Sequence, residues 1–155
     1  SIEETKYTTE AILVGHQYRV TKVESINEEV IASSSFDHSI KIWKSIPPYE
    51  EIKTMTGHQD GVFSIVKLKG KNQLVSGSSD IRFWNLDSYQ CEAVIKGVNC
   101  FFPDSILELD NNRIIVGEKI VTSIINAKTF QIEKKIKENL LVCTLFLCWM
   151  IQTEL

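Results

Sequence analysis

The chain has 155 residues, of which 43% are hydrophobic and 24% charged, and its formal net charge is −3. That length suits one domain, the composition is that of a folded globular chain rather than a disordered one, and the acidic balance argues against a nucleic-acid-binding surface. The N-terminal Ser1-Ile2-Glu3-Glu4 lacks the plan of a signal peptide, and the long apolar stretch Leu140–Ile151 is shorter than the ~20 residues of a membrane-spanning helix, so neither secretion nor a membrane role is expected.

Isoleucine occurs 20 times and valine 12 times, and such loading with β-branched side chains favours strands. In chain order, Thr5–Leu13 reads as an isolated strand. Strands then follow at Arg19–Ser25, Val30–Ser35, Ser39–Trp43 and Glu51–Met55. The next four fall at Val62–Leu68, Gln73–Ser78, Ile81–Trp84 and Cys91–Ile95, and four more at Asp104–Leu109, Arg113–Val116, Lys119–Ile125 and Gln131–Ile136. Leu140–Leu147 closes the series. Turns are marked by Asn27-Glu28-Glu29, Pro47-Pro48, Lys69-Gly70-Lys71-Asn72 and Asp110-Asn111-Asn112.

A repeat underlies this spacing. Gly15-His16 leads through Ser33-Ser34-Ser35-Phe36-Asp37 to Trp43, and Gly57-His58 leads through Ser76-Gly77-Ser78-Ser79-Asp80 to Trp84. The histidines are 42 residues apart and the tryptophans 41. A third copy keeps only the apolar skeleton: Gly97 stands 40 residues after Gly57, while Val98, Val116 and Ile125 replace histidine, serine and tryptophan.

These motifs resemble the WD-repeat β-propeller family. The closing Trp-Asp pair of that family reads Trp43-Lys44 and Trp84-Asn85 here. The resemblance implies an all-β fold: a partial β-propeller arc of about three four-stranded antiparallel blades, plus one orphan strand at each end. The blades fall at about 15–56, 57–96 and 97–137 and the orphan strands at 5–13 and 140–147, all within one incomplete domain spanning 1–155. Closed propellers have 4–8 blades, so further blades from a longer chain or another subunit are expected to complete the ring.

The same resemblance implies that His16, Ser33, Asp37 and Trp43, and likewise His58, Ser76, Asp80 and Trp84, form buried hydrogen-bonded sets. Whether Ser33 or Ser35, and Ser76 or Ser78, makes the contact stays open from the residues alone. Ser, His and Asp are also the residue types of a nucleophilic triad, but no oxyanion site or exposed nucleophile accompanies them. No catalytic, metal or cofactor site is expected: the histidines are scattered, and Cys91, Cys100, Cys143 and Cys148 form no Cys-x-x-Cys pair and read as reduced core thiols.

The family places the aspartate turn and the Gly-His loop on one rim. Tyr18, Arg19, Phe36, Asp60 and Ser79 are the candidate partner-binding residues there, with Phe36 able instead to tuck between blades. The expected function is that of a noncatalytic scaffold or adaptor binding a protein partner, in the cytoplasm or the nucleus. The competing readings are a propeller enzyme with its site in the central channel and a substrate adaptor of a ubiquitin ligase.

Overall fold

The computed structural model describes residues 9–110 and 112–137. Twelve strands, with no helix among the described residues, form three four-stranded antiparallel sheets. Blade 1 contains β1 (Val20–Ser25), β2 (Val30–Ser35), β3 (Ile40–Lys44) and β4 (Glu51–Met55). Blade 2 contains β5 (Ser64–Lys67), β6 (Gln73–Gly77), β7 (Ile81–Asn85) and β8 (Cys91–Ile95). Blade 3 contains β9 (Ile106–Asp110), β10 (Arg113–Gly117), β11 (Val121–Asn126) and β12 (Gln131–Lys137). Each sheet runs in simple chain order, and the first strands β1, β5 and β9 line up side by side at the inner edge.

Strand alternation gives each blade two apolar faces. In β7, Ile81 and Phe83 pack with Ile106, Ile114, Val116 and Ile125 of blade 3. The neighbouring Trp84 points the other way and packs with Ala32, Ile40, Ile42 and Met55 of blade 1. Blade 2 is therefore covered on both sides. The equivalent outer face of blade 1 is open, with Val14 84% and Val23 55% exposed. The last strand of each sheet is its most exposed, and β12 carries Lys134, Lys135 and Lys137, charges that discourage edge-to-edge pairing.

Two local irregularities repeat. The ladder between the third and fourth strand of every blade shifts register at the same place, beside Trp43, Trp84 and Ile125. The turn that follows ends on an aromatic residue with left-handed backbone: Tyr49, Tyr89 and Phe130 have φ of 54°, 55° and 57°. That conformation costs a side chain roughly 1–2 kcal/mol. Packing offsets it, since the Phe130 ring meets Phe83 edge-on at 5.0 Å and Tyr89 lies against the core between blades 1 and 2.

Several expected boundaries move. Residues 9–13 form no strand: the described residues offer no neighbouring strand on that side for hydrogen bonding, and Glu10 instead accepts from the Tyr49 hydroxyl at 3.1 Å. Residues 5–8, the second flanking strand at 140–147, and Cys143 and Cys148 with it, lie outside the described residues. The inner strand β5 begins later than the sequence suggests because Val62 bonds across to the neighbouring blade, and β9 because Asp104 adopts a left-handed φ of 59°. Val62 N–H donates to Ser35 O at 3.0 Å and Cys100 N–H to Ser78 O at 2.7 Å.

This order of packing sets an order of opening. Amides of β6 and β7 are expected to be the slowest to exchange with deuterium. Those of β10 and β11 should open before β2 and β3, because blade 3 holds no buried histidine–serine–tryptophan set. Slower exchange in β10 than in β2 would contradict this account.

Candidate functional site

In blade 1 the first strand pair places Ser33 beneath the Gly-His loop. Its hydroxyl accepts the Trp43 indole N–H at 2.8 Å and meets His16 Nε2 at 2.7 Å. His16 Nδ1 faces Asp37 at 2.7 Å. The carboxylate also accepts the Gln17 N–H at 3.0 Å, the Ser39 N–H at 3.0 Å and the Ser39 hydroxyl at 2.5 Å. Burial alone would raise the Asp37 pKa, but these donors outweigh it and hold the carboxyl well below its ordinary value. Gly15 makes the close fit possible, since a Cβ there would stand 2.8 Å from the far edge of the Trp43 indole.

Blade 2 repeats the centre of this set and changes its rim. Ser76 accepts the Trp84 indole N–H at 2.8 Å and lies 2.6 Å from His58 Nε2. The turn between β6 and β7 is shorter than the turn between β2 and β3, so nothing in it corresponds to Ser39. Arg82 takes the vacant role: its Nε lies 3.2 Å from both carboxylate oxygens of Asp80 and its Nη2 donates to Oδ2 at 3.0 Å. His58 Nδ1 is 2.6 Å from Asp80 Oδ1, yet its N–H is not aligned on that oxygen. Burial pushes the His58 pKa down to about 4; Asp80 opposes the shift and the nearby Arg82 charge adds to it. The imidazole is neutral.

In blade 3, Val98, Val116 and Ile125 are all 0% exposed and share one apolar cluster, so the polar set is replaced by packing. One polar element survives. Glu118 accepts the Asn99 N–H at 3.2 Å, as Asp37 accepts that of Gln17, and also the Ser123 hydroxyl at 2.6 Å. A second substitution concerns the missing closing aspartate. The Asn85 side-chain oxygen accepts from the backbone of Asp87 and Ser88, and that of Asn126 from Lys128 and Thr129, so asparagine caps the turn.

The second serine of each pair has a different task. Ser35 and Ser78 donate to the carbonyls of Tyr18 and Asp60, each at 3.1 Å, which ties the β2–β3 and β6–β7 turns to the Gly-His loops. The rim above is exposed at Tyr18, Arg19, Asp60 and Ser79. Phe36 joins Arg19 directly, donating its N–H to the Arg19 carbonyl at 3.0 Å. Its ring covers Gly61, where a Cβ would stand 2.5 Å away, and still leaves the residue 36% exposed. Phe36 therefore both seals the joint between blades 1 and 2 and faces solvent. Glu118, Arg82 and the second aromatic pair Phe63 and Phe101 are the rim residues that sequence reasoning missed.

Four-stranded blades with buried histidine–serine–tryptophan sets define a β-propeller of the WD-repeat class. The sequence pattern described as "WD domain, G-beta repeat" matches residues 7–44 and 49–85, and the chain belongs to that family. It is 36% identical over 93 residues to nuclear distribution protein nudF 1 of Talaromyces marneffei, covering 57% of this chain and 20% of that protein. It is 39% identical over 71 residues to the ribosome biogenesis protein WDR12 homolog of Nematostella vectensis, covering 44% and 17%. With the transcriptional corepressor LEUNIG_HOMOLOG of Arabidopsis thaliana it shares 34% identity over 88 residues, covering 54% and 11%. The matched segments thus span a fifth or less of these relatives' own lengths.

The hydroxyl of Ser76 has two partners that nothing else satisfies. Ser76→Ala should lower the unfolding free energy by ~1–3 kcal/mol, whereas Ser79→Ala on the exposed rim should change it by less than ~0.5 kcal/mol. Equal effects in urea titrations would refute the assignment.

A pH dependence follows from His58. Its folded pKa lies below the ordinary 6.5, so between pH 6.5 and about 4 the unfolded chain binds more protons and stability falls as pH drops through that window. The loss should be on the order of 1–3 kcal/mol and should be absent in His58→Gln. Parallel pH profiles of the two proteins would rule out a buried neutral imidazole.

Proposed function

We propose that the chain is a noncatalytic protein-binding module that presents its Gly-His and turn loops to a partner protein, as part of a scaffold or adaptor. The observation that carries this reading is the contrast between the two layers of the rim. In both Ser-His-Asp sets the serine oxygen already accepts an indole N–H, and Ser76 is 0% exposed, so they supply no free nucleophile. Above them stand Tyr18, 68% exposed, together with Arg19 and Phe36. Tyrosine and arginine are among the residue types that most often dominate binding energy at protein interfaces.

The enzyme reading fares worse on the inner strands. Lys22 pairs with Asp104 at 2.5 Å, Glu24 accepts the Lys67 N–H at 3.1 Å, and Glu108 accepts the Lys69 N–H at 2.9 Å. These charged groups are each engaged with the fold rather than converging on one point. A ubiquitin-ligase substrate adaptor is one specific form of the binding reading. The free thiols Cys91 and Cys100 fit a reducing, cytoplasmic or nuclear setting.

The test is co-purification of partners with the tagged protein from cells, followed by calorimetry on the recovered partner. Tyr18→Ala should weaken that binding by more than ~1 kcal/mol with an unchanged melting temperature. Phe36→Ala should weaken binding and also lower the melting temperature, because it uncovers Gly61. Binding indifferent to both substitutions would remove the rim from the proposal, and a turnover of small substrates by the purified protein would overturn the noncatalytic reading.

A further inference from the structure

The fourth strand of each blade ends its sheet, and among the described residues no further strand pairs with it. Main-chain groups in an antiparallel ladder point alternately toward the neighbouring strand and away from it. β4, β8 and β12 therefore each present a row of N–H and C=O groups with no strand to meet them. Such a row is a template for another strand unless side chains guard it.

The three edges are guarded unequally. β12 carries Lys134, Lys135 and Lys137, and β4 has the exposed Lys53 at its centre. Pairing either strand with its own copy about the middle residue would set Lys134 against Lys134, or Lys53 against Lys53, and like charges directly opposite are destabilising. β8 reads Cys91-Glu92-Ala93-Val94-Ile95, with neither lysine nor proline inside the strand. Ala93 and Ile95 turn into the core between blades 2 and 3. The alternate residues Glu92, Val94 and, one step past the strand, Lys96 are exposed, Val94 by 42%.

Those three exposed residues are self-complementary about Val94. When two β8 strands lie antiparallel with Val94 at the centre, Glu92 of each copy stands opposite Lys96 of the other. Val94 then meets Val94 on the two-fold axis, and Ala93 meets Ile95 on the inner face. Opposite charges and apolar pairs directly across antiparallel strands are each stabilising. A slip of one residue would turn the whole set to the wrong face, so this register is specified. Glu92 is held in place by Gln73 Nε2 at 2.5 Å and Asn85 Nδ2 at 3.0 Å. Both donors are neutral amides, so the carboxylate keeps its charge. Lys96 is exposed, and among the described residues no carboxylate pairs with it.

We propose that β8 is a self-association edge, through which two copies of the chain pair antiparallel about Val94 and join their second blades into one continuous sheet. The contact is isologous, so it closes at two copies and does not propagate. Being confined to one short strand, it is a weak contact that depends on concentration. It uses none of the residues named in the protein-binding reading and stands or falls independently of it.

Sedimentation velocity over a concentration series should show a monomer–dimer equilibrium. Hydrogen–deuterium exchange should show β8 amides gaining protection as concentration rises, while those of β4 and β12 gain none. Val94→Lys gives β8 the guard that the other two edges carry, and should leave a monomer that melts as the wild type does at low concentration. Lys96→Glu places two carboxylates opposite each other at both ends of the pairing and should weaken the dimer by ~10-fold or more, whereas Lys96→Arg should keep it. Val23→Lys, on the open face of blade 1, should leave the dimer unchanged. A monomer at every concentration, association that survives Val94→Lys, or association indifferent to Lys96→Glu overturns the proposal. Loss of association in Val23→Lys alone would assign the contact to the blade face and overturn it as well.

Discussion

One hydroxyl holds each of the first two blades in its arrangement. Ser33 and Ser76 accept the indole N–H of a tryptophan on the next strand and face the imidazole of a histidine from the loop above. Tryptophan can only donate and must find an acceptor when buried, so the serine decides which way the large ring lies. The ring in turn forms part of the surface on which the neighbouring blade stacks: Trp84 packs on Ala32, Ile40 and Ile42. Turn, strand and inter-blade contact are thereby tied to one small polar atom, and the aspartate anchors the loop end of the chain of contacts.

Blade 3 shows what the arrangement requires once that atom is gone. Val116 has no hydroxyl, and the histidine and tryptophan positions have become Val98 and Ile125, so no buried donor is left without an acceptor. Replacing all members of a buried polar set together avoids the desolvation cost that losing one member would incur. The loop still needs a carboxylate to hold its backbone. Glu118 provides it from a position two residues earlier than the expected aspartate, and its longer side chain makes up the difference.

Most of the architecture was legible because the repeat is carried by residues whose spacing is fixed by strand length and turn length. Gly-His, the serine strand and tryptophan recur together, and the three sheets follow that period. The choice between Ser33 and Ser35 was not legible, because both lie on the same face of β2. The register settles it: Ile31 stands opposite Trp43 and Ser33 opposite Lys41, so the indole reaches diagonally to Ser33 and falls short of Ser35. Arg82 and Glu118 escaped because they replace motif residues from different sequence positions. The contacts of Phe63 with Phe36 and Phe101 escaped because the rings come from a turn in one blade and from loop ends in the others, and no single period links them. Of the isolated strand expected before the first Gly-His, residues 9–13 form none for a simpler reason: they have suitable side chains but no backbone partner among the described residues.

The main-chain bonds from Val62 to Ser35 and from Cys100 to Ser78 have a geometrical effect beyond fastening neighbours. They join the blades beside the inner strands, using main-chain atoms that every amino acid except proline carries. The angular step from one blade to the next is then governed near the hub, while side chains farther out merely fill the widening wedge. Substitutions toward the periphery can alter how tightly two wedges mesh without altering that step. This is how a blade with an apolar centre, such as the third, can follow two with hydrogen-bonded centres in the same sweep of the arc.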